Sequence, residues 1–224
     1  APLISCHEHN EQGKAEQIVS RAANGQRVLL VTDAGMPTVS DPGYVIVQVA
    51  IARGEPLTVL PGPSAPLLAL ALSGLPTDRF CFEGFLPRKQ TALRRRLEEL
   101  SSEERTMIFL ESPRRLEVTL EALAQLFGEK RSAAVCRELT KMHEDVWRGS
   151  LGELKEKATE VRGEIVLVVA GAAPRTPLTP TEAVRLILDR VEDGERLKDA
   201  AKAVAAQSGL SSKELYNQAL AERK

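Results

Sequence analysis

Cysteine is scarce in this sequence. Cys6, Cys81 and Cys136 lie far apart, are odd in number and form no C-x-x-C arrangement. This argues against a disulfide scaffold, fits a reducing compartment and reads each thiol as a small packing residue. No apolar run is long enough to span a bilayer, and no basic-then-apolar leader is present. The expectation is therefore a soluble, cytoplasmic protein with no membrane partner. Charge of one sign is lacking too: 30 Lys and Arg face 31 Asp and Glu, a formal charge of -1. The chain as a whole is no polycation, so any nucleic-acid contact must come from a local basic patch. There is no G-x-G-x-x-G and no P-loop, which weakens the common dinucleotide and ATP readings. Repeats and low-complexity segments are also absent.

What is there suffices for a core. Of 224 residues, 43% are apolar and 27% charged, enough for one large domain or two small ones. "GKAEQIVSRAANG" sets Ala15, Ile18, Val19 and Ala22 at helical spacing, with Gly25 placed to end the helix. "RVLLV" reads as a buried strand. "YVIVQVAIARG" fits helix or strand, its length and Gly54 favouring helix. "PLTVL" reads as a strand and "APLLALALSGLP" as a helix stopped by Gly74 and Pro76. This alternation predicts an α/β N-terminal domain over 1–75 built on a parallel sheet.

The character changes at "GLPTD". Beyond it, "RFCFEGFLP", "RTMIFLE", "SAAVCREL", "EDVWRGS" and "EIVLVVAG" read as strands. "TALRRRLEELSSEE", "RRLEVTLEALAQLFG" and a segment from Leu151 to about Glu160 read as helices. They predict a C-terminal α/β domain over 76–171 with a mixed sheet. "AAPRTPLTP" reads as a Pro-rich linker over 172–180, followed by a helical extension over 181–224. There Thr181 with Glu182 looks like an N-cap and acidic first turn, and Ser211 and Ser212 are candidate caps. The helices around "AAQSGLSSKELYN" resemble a helix-turn-helix. Lys198, Lys202 and Lys213 read either as further RNA contacts or as part of a packing extension.

Two loops raise a question of chemistry. "DAGMPTVSDPG" follows the first apolar strand pattern, and "PGPSA" follows the second. Polar loops at the carboxyl ends of parallel strands are where open α/β sheets take ligands. Gly35 and Gly43 let backbone approach a ligand closely, and Pro37 and Pro42 stiffen the loop. Asp33 and Asp41 offer acceptors for hydroxyls or an amine, and Ser64 offers a hydroxyl or a helix cap. Plain crossover turns are the competing reading.

"DAGMPTVSDPGY", "LPGPSA", "SGLPTDRFCFEGFLPRK", "IFLESPRR", "RELTK" and "GEIVLVV" occur in this order and spacing. Over about residues 5–171 the sequence thereby resembles the ribosomal RNA small subunit methyltransferase I family, the RNA-modifying branch of the tetrapyrrole methylase fold. The resemblance implies two α/β domains with S-adenosylmethionine (SAM) in the cleft between them. It implies transfer of a methyl group to a ribose 2′-hydroxyl of a cytidine in the decoding region of 16S ribosomal RNA. The implied partners are the 30S subunit and a second copy in a homodimer. Members of that family open with a further strand, a loop and an acidic stretch ahead of where this sequence starts. The expectation is that this is most of a longer enzyme.

The resemblance assigns cofactor contacts to Asp33, Ala34, Gly35, Pro37, Asp41, Pro42, Ser64 and Ala65 from the first domain. From the second it assigns Glu111, Ser112, Arg137, Glu138, Leu139, Gly163, Glu164 and Ile165. Small side chains, backbone groups and a few carboxylates suit a sulfonium nucleoside. In-line attack of a hydroxyl on a sulfonium methyl asks mainly for alignment at about 3 Å. Glu111, Glu138 and Lys141 are the candidate bases.

For RNA, Arg88 and Lys89 lead the basic stretch "PRKQTALRRR", with Arg114, Arg115 and Lys141 adding charge. Arg94 to Arg96 are followed by Glu98 and Glu99, so a solvated helix face competes there. "CHEHNE" has no metal-ligand spacing and no second cluster to complete a site, so no metal is expected. His7, His9 and Asn10 read as polar residues near substrate, His143 as a surface residue and Trp147 as packing. Two other functions compete: methylation of a tetrapyrrole or other small molecule on the same fold, and a non-catalytic RNA-binding module.

Overall fold

The computed structural model describes residues 2–7, 9–173 and 178–222. Its first helices are α1 (Glu11–Ala23) and α2 (Tyr44–Ala52). Ala15, Ile18 and Val19 recur every three to four residues along α1 and pack on Ile46 and Ala50 of α2. The ambiguous "YVIVQVAIARG" is thus a helix. Helix α3 (Ala65–Ser73) ends at Gly74, whose φ of 75° supplies the left-handed C-cap.

Five strands follow, interleaved with three helices. They are β1 (Phe80–Phe85), β2 (Thr106–Glu111), β3 (Ser132–Arg137), β4 (Asp145–Ser150) and β5 (Ile165–Val169). The helices are α4 (Gln90–Leu100), α5 (Leu116–Phe127) and α6 (Leu151–Lys157). The sheet order is β1-β2-β5-β3-β4, with β1 parallel to β2 and the other pairs antiparallel. This is the mixed sheet expected of the second half. Alternation along the strands builds both faces. Met107, Phe109, Val135, Leu167 and Val169 point to α4, α5 and α6, where Leu97, Leu120, Leu123 and Leu154 are fully buried. Ile108, Cys136, Val166 and Val168 point the other way, onto Ala69 and Leu70 of α3. Burial is worth about 1.5–3 kcal/mol for each large aliphatic side chain.

The parallel N-terminal sheet expected from "RVLLV" and "PLTVL" is not formed among the described residues. Residues 27–31 and 56–60 make no ladder with any described residue. Leu29 and Leu60 are 77% and 75% exposed. A strand exists only through hydrogen bonds to a neighbour, and strand-like apolar patterning without one leaves a loop.

The chain divides into two compact units, Ala1–Ala172 and Ala173–Lys224. The second unit holds α7 (Pro180–Glu192), α8 (Leu197–Ser208) and α9 (Ser212–Glu222), packed through Val184, Ile187, Val204 and Leu215. Helix α7 is capped by Thr179 in a reciprocal box with Glu182, not by Thr181. The reason is Pro180, which takes the first helical position and moves the cap ahead of it. Ser211 Oγ accepts from the Glu214 N–H at 3.4 Å, as a cap for α9. Of the expected linker, residues 174–177 lie outside the described residues. No helix among the described residues is long and apolar enough to cross a membrane.

Candidate functional site

The loop between residues 32 and 43 is held at both ends. Glu11, in the first turn of α1, is buried, and its Oε1 accepts from the N–H groups of Gly43 (2.9 Å) and Val45 (2.7 Å). Those amides sit at the open N-terminus of α2, where a carboxylate satisfies donors and meets the positive end of the helix. At the other end the Thr32 hydroxyl donates to Asp41 Oδ2 at 2.8 Å. Between these anchors Thr38 and Ser40 hold φ values of 74° and 59°. Left-handed backbone at non-glycine residues costs about 1–3 kcal/mol each and concentrates at functional sites. Asp33, Ala34 and Gly35 stand at the exposed rim, while Pro37, Asp41 and Pro42 are half-buried. Asp41 is therefore a loop-shaping acceptor, and Asp33 is the exposed carboxylate of the pair.

The second bend lies against the first. A Cβ on Gly62 would stand 2.9 Å from the Met36 sulfur and 3.7 Å from the Gly35 carbonyl oxygen. Ser64 occupies the N-cap position of α3, yet its side chain makes no capping hydrogen bond. Its hydroxyl and the N–H groups of Ala65 and Leu67 remain available at the start of α3, where Pro66 has none to offer.

The strand register gathers the remaining residues at one end of the sheet. Phe85 pairs with Leu110, Glu111 with Ile165, Ile165 with Arg137, and Arg137 with Asp145. Ser112, Glu138, Leu139, Gly163 and Glu164 adjoin these strand ends. The first loop reaches the same end: a Cβ on Gly84, within the irregular register of β1, would lie 3.7 Å from Ser40 Oγ. The first bend thus touches both the second bend and β1 near its end.

The three candidate bases are all engaged. Glu111 is 3% exposed; its Oε1 accepts from the Ser112 N–H (2.8 Å) and its Oε2 from the Thr119 hydroxyl (2.6 Å). Arg115 Nη2 lies 3.7 Å from Glu111 Oε2. Glu138 has a φ of 49° and accepts from the Glu164 N–H (2.8 Å) and from Lys141 Nζ (2.9 Å). The Glu164 amide and then the Lys141 ammonium hold its carboxyl below the ordinary range. Hydrogen bonds to Glu138 and then Glu164 push Lys141 up, so it stays a cation. Gly163 holds a φ of 95°, which disfavours any side chain, and a Cβ there would also lie 2.5 Å from Glu138 Cγ.

The basic stretch separates into two kinds of residue. Arg88, Lys89 and Arg114 are exposed. Arg115 is half-buried and donates to the carbonyl oxygens of Leu86 (3.1 Å) and Pro87 (3.0 Å), which fixes the backbone that presents Arg88. On α4, Arg94 pairs with Glu98 (2.9 Å), Arg95 with Glu99 (4.0 Å) and Arg96 with Glu83 (2.6 Å). These arginines form the solvated, neutralised face. A groove of about 360 Å³ on this unit is lined by Arg137, Trp147, Lys157 and Arg162 among others. His7 and His9 are exposed, and Asn10 Nδ2 lies 2.8 Å from His7 Nε2. Glu8 of the same stretch lies outside the described residues. Among the described residues no three His, Cys, Asp or Glu side chains converge as a metal site would require.

Sequence reasoning missed Glu11 and Thr119. Each is a polar residue at a helical position that reads as surface, and only the fold shows what it caps or satisfies.

Comparison with known proteins follows the same lines. Residues 3–155 match the Tetrapyrrole (Corrin/Porphyrin) Methylases. The crystal structure of the methyltransferase CobJ aligns with a TM-score of 0.56 at 24% identity, over 73% of this chain and 72% of that one. A conserved hypothetical protein from Aeropyrum pernix K1 aligns with a TM-score of 0.55 at 17% identity, over 97% of this chain and 78% of that one. The fold is therefore that of the tetrapyrrole methylases.

Curated sequences narrow the class. The proteins named Ribosomal RNA small subunit methyltransferase I in Mycobacterium tuberculosis (strain ATCC 25618 / H37Rv) and Escherichia coli O157:H7 are 46% and 40% identical to this chain. The matches cover 99% and 100% of this chain and 78% and 79% of the relatives. The protein of that name in Xylella fastidiosa (strain Temecula1 / ATCC 700964) is 44% identical over 96% of this chain and 80% of its own. The chain belongs to the ribosomal RNA small subunit methyltransferase I family.

Proposed function

We propose that the chain is a SAM-dependent methyltransferase of small-subunit ribosomal RNA, and that the methyl goes to the ribose 2′-hydroxyl of a cytidine. The observation that carries this reading is the meeting of the two glycine–proline bends with each other and with the sheet end. The names of the curated relatives supply the RNA class.

The residues present fit SAM. Gly35, with nothing within 4 Å of its Cβ direction, leaves open space beside the rim carboxylate of Asp33. Asp33 suits an ammonium or ribose hydroxyls. The Ser64 hydroxyl and the Ala65 and Leu67 N–H groups at the start of α3 suit a carboxylate. Ala34, Ala65 and Leu139 offer apolar surface to an adenine, and Gly163 with Glu164 close the far side. Pro37 and Pro42 stiffen the loop, and Ser112 and Arg137 line the sheet end. When bound, SAM supplies an electrophilic methyl group on a sulfonium.

The chain's own contribution is alignment. Glu111 is sealed, and Glu138 and Lys141 hold each other ionised, so the geometry favours positioning over general-base catalysis. The hydroxyl proton leaves to water. Holding the two reactants in line is worth several powers of ten by itself. Arg88, Lys89 and Arg114 hold phosphates, and Arg115 positions the segment that carries Arg88. A homodimer and a cytoplasmic location belong to the same reading.

The test uses tritiated SAM and small subunits lacking the modification. The account expects label in the RNA that survives alkaline hydrolysis as a cytidine-containing dinucleotide, because a 2′-O-methyl group removes the nucleophile for strand cleavage. Label in mononucleotides would move the methyl to a base. No label, with no heat on titration with SAM, would leave a non-catalytic RNA-binding module.

A further inference from the structure

The helical unit separates its charge. Its first part, from Glu182 to Glu195, carries Glu182, Asp189, Glu192, Asp193 and Glu195 against Arg185 and Arg190. From Arg196 to Lys213 the balance reverses, with Arg196, Lys198, Lys202 and Lys213 against Asp199. The fold collects most of the basic set in one place. A groove of about 470 Å³ is lined by Arg196, Lys198, Asp199, Lys202 and Ser212.

Two further features act in the same direction. Arg196 is the N-cap residue of α8 and Ser212 opens α9, so the positive ends of two helices face one groove. Among the described residues, Arg190 pairs with Glu195 at 3.6 Å, whereas Arg196, Lys198 and Lys202 have no carboxylate within ion-pair distance. This differs from α4, where Arg94, Arg95 and Arg96 are each matched by a glutamate. Exposed cations left unmatched around a concavity, with helix N-termini beneath them, suit a polyanion whose charges are spaced along a chain.

We propose that this groove seats the phosphodiester backbone of RNA, through Arg196, Lys198 and Lys202 as cations and Ser212 as a hydrogen-bond donor. It is a second contact, separate from Arg88, Lys89 and Arg114, and it reads charge rather than sequence. The inference rests on the reading of the chain as one that acts on RNA.

The experiment measures affinity of the full chain for protein-free small-subunit ribosomal RNA across a salt series, beside its affinity for SAM. Lys198→Gln with Lys202→Gln should weaken RNA binding about tenfold near 0.1 M salt and make the log–log salt slope shallower by about one and a half to two. SAM affinity should not change. Lys198→Arg with Lys202→Arg should restore RNA binding. Asp199→Asn should strengthen it several-fold, a gain that damage to the fold cannot imitate. An unchanged salt slope in the double Gln variant, or no gain from Asp199→Asn, overturns the groove. If the groove variants behave as stated but the unaltered chain transfers no methyl to small subunits, the groove stands and the proposed enzymatic reading falls.

Discussion

Between Glu11 and Gly74 the chain leaves Val28, Leu29, Val31, Leu57, Val59 and Leu60 exposed. Between Phe80 and Val169 it buries Met107, Ile108, Phe109, Val135, Leu167 and Val168 almost completely. Both regions carry runs of strand-type residues. The difference lies in pairing: each later strand has hydrogen-bonded neighbours, and the earlier segments have none among the described residues. Beyond the small apolar cluster between α1 and α2, the earlier region is held by polar anchors, Glu11 on α2 and Thr32 on Asp41, and by close approach at Gly62. The later region is a scaffold held by packing. The proposed ligand surface lies where the anchored loops meet that scaffold.

The contrast breaks most readily by truncation in each region. Phe109→Ala should cost about 3–5 kcal/mol in urea unfolding, a large aromatic lost from a filled core. Leu29→Ala should stay within about 0.5 kcal/mol. Equal losses would show that the exposed segments are packed in solution and would end the comparison. Next in size is Thr119→Val, which withdraws a donor from the sealed Glu111 carboxylate. It should cost about 1–3 kcal/mol. A smaller loss is expected for Glu11→Ala, about 0.5–2 kcal/mol, as for other helix N-caps. Its signature is faster hydrogen exchange at the Gly43 and Val45 amides, with the sheet amides unchanged.

The smallest effect belongs to Glu138. Its folded carboxyl titrates below the ordinary value of 4.5, so its contribution is present above that value and is lost as pH falls through the folded one. The stability gap between the wild type and Glu138→Gln should therefore be widest near neutrality and shrink on acidification below the ordinary carboxylate value. A gap that widens on acidification would contradict the assigned hydrogen bonds.

The sheet was legible because its signals are local. "LEVTLEALAQLF" carries a helical period, and "RTMIFLE" is an apolar run of strand length, too short for a buried helix. The unpaired state of "RVLLV" was not legible, since a strand's partner is not written in its own residues. The N-cap of α7 was misplaced for a smaller reason: Thr179 and Thr181 flank Pro180, and both look like caps until the proline's position is fixed. Of the proposed site, the glycine–proline bends were visible in composition. The engagement of Glu111 by Thr119 and of Arg115 by Leu86 and Pro87 was not, because those partners are 8 and 29 residues or 28 residues away. Burial pushes Cys136 and Cys81 up to about 11, which leaves them protonated and slow to react near neutrality.

The central claim is that both bends and the sheet end serve one ligand. Hydrogen–deuterium exchange of the full chain with and without SAM tests it most directly. The account predicts simultaneous protection of residues 33–43, 62–67, 111–112, 137–139 and 163–165. Protection confined to one bend, or appearing on the opposite end of the sheet, would contradict it.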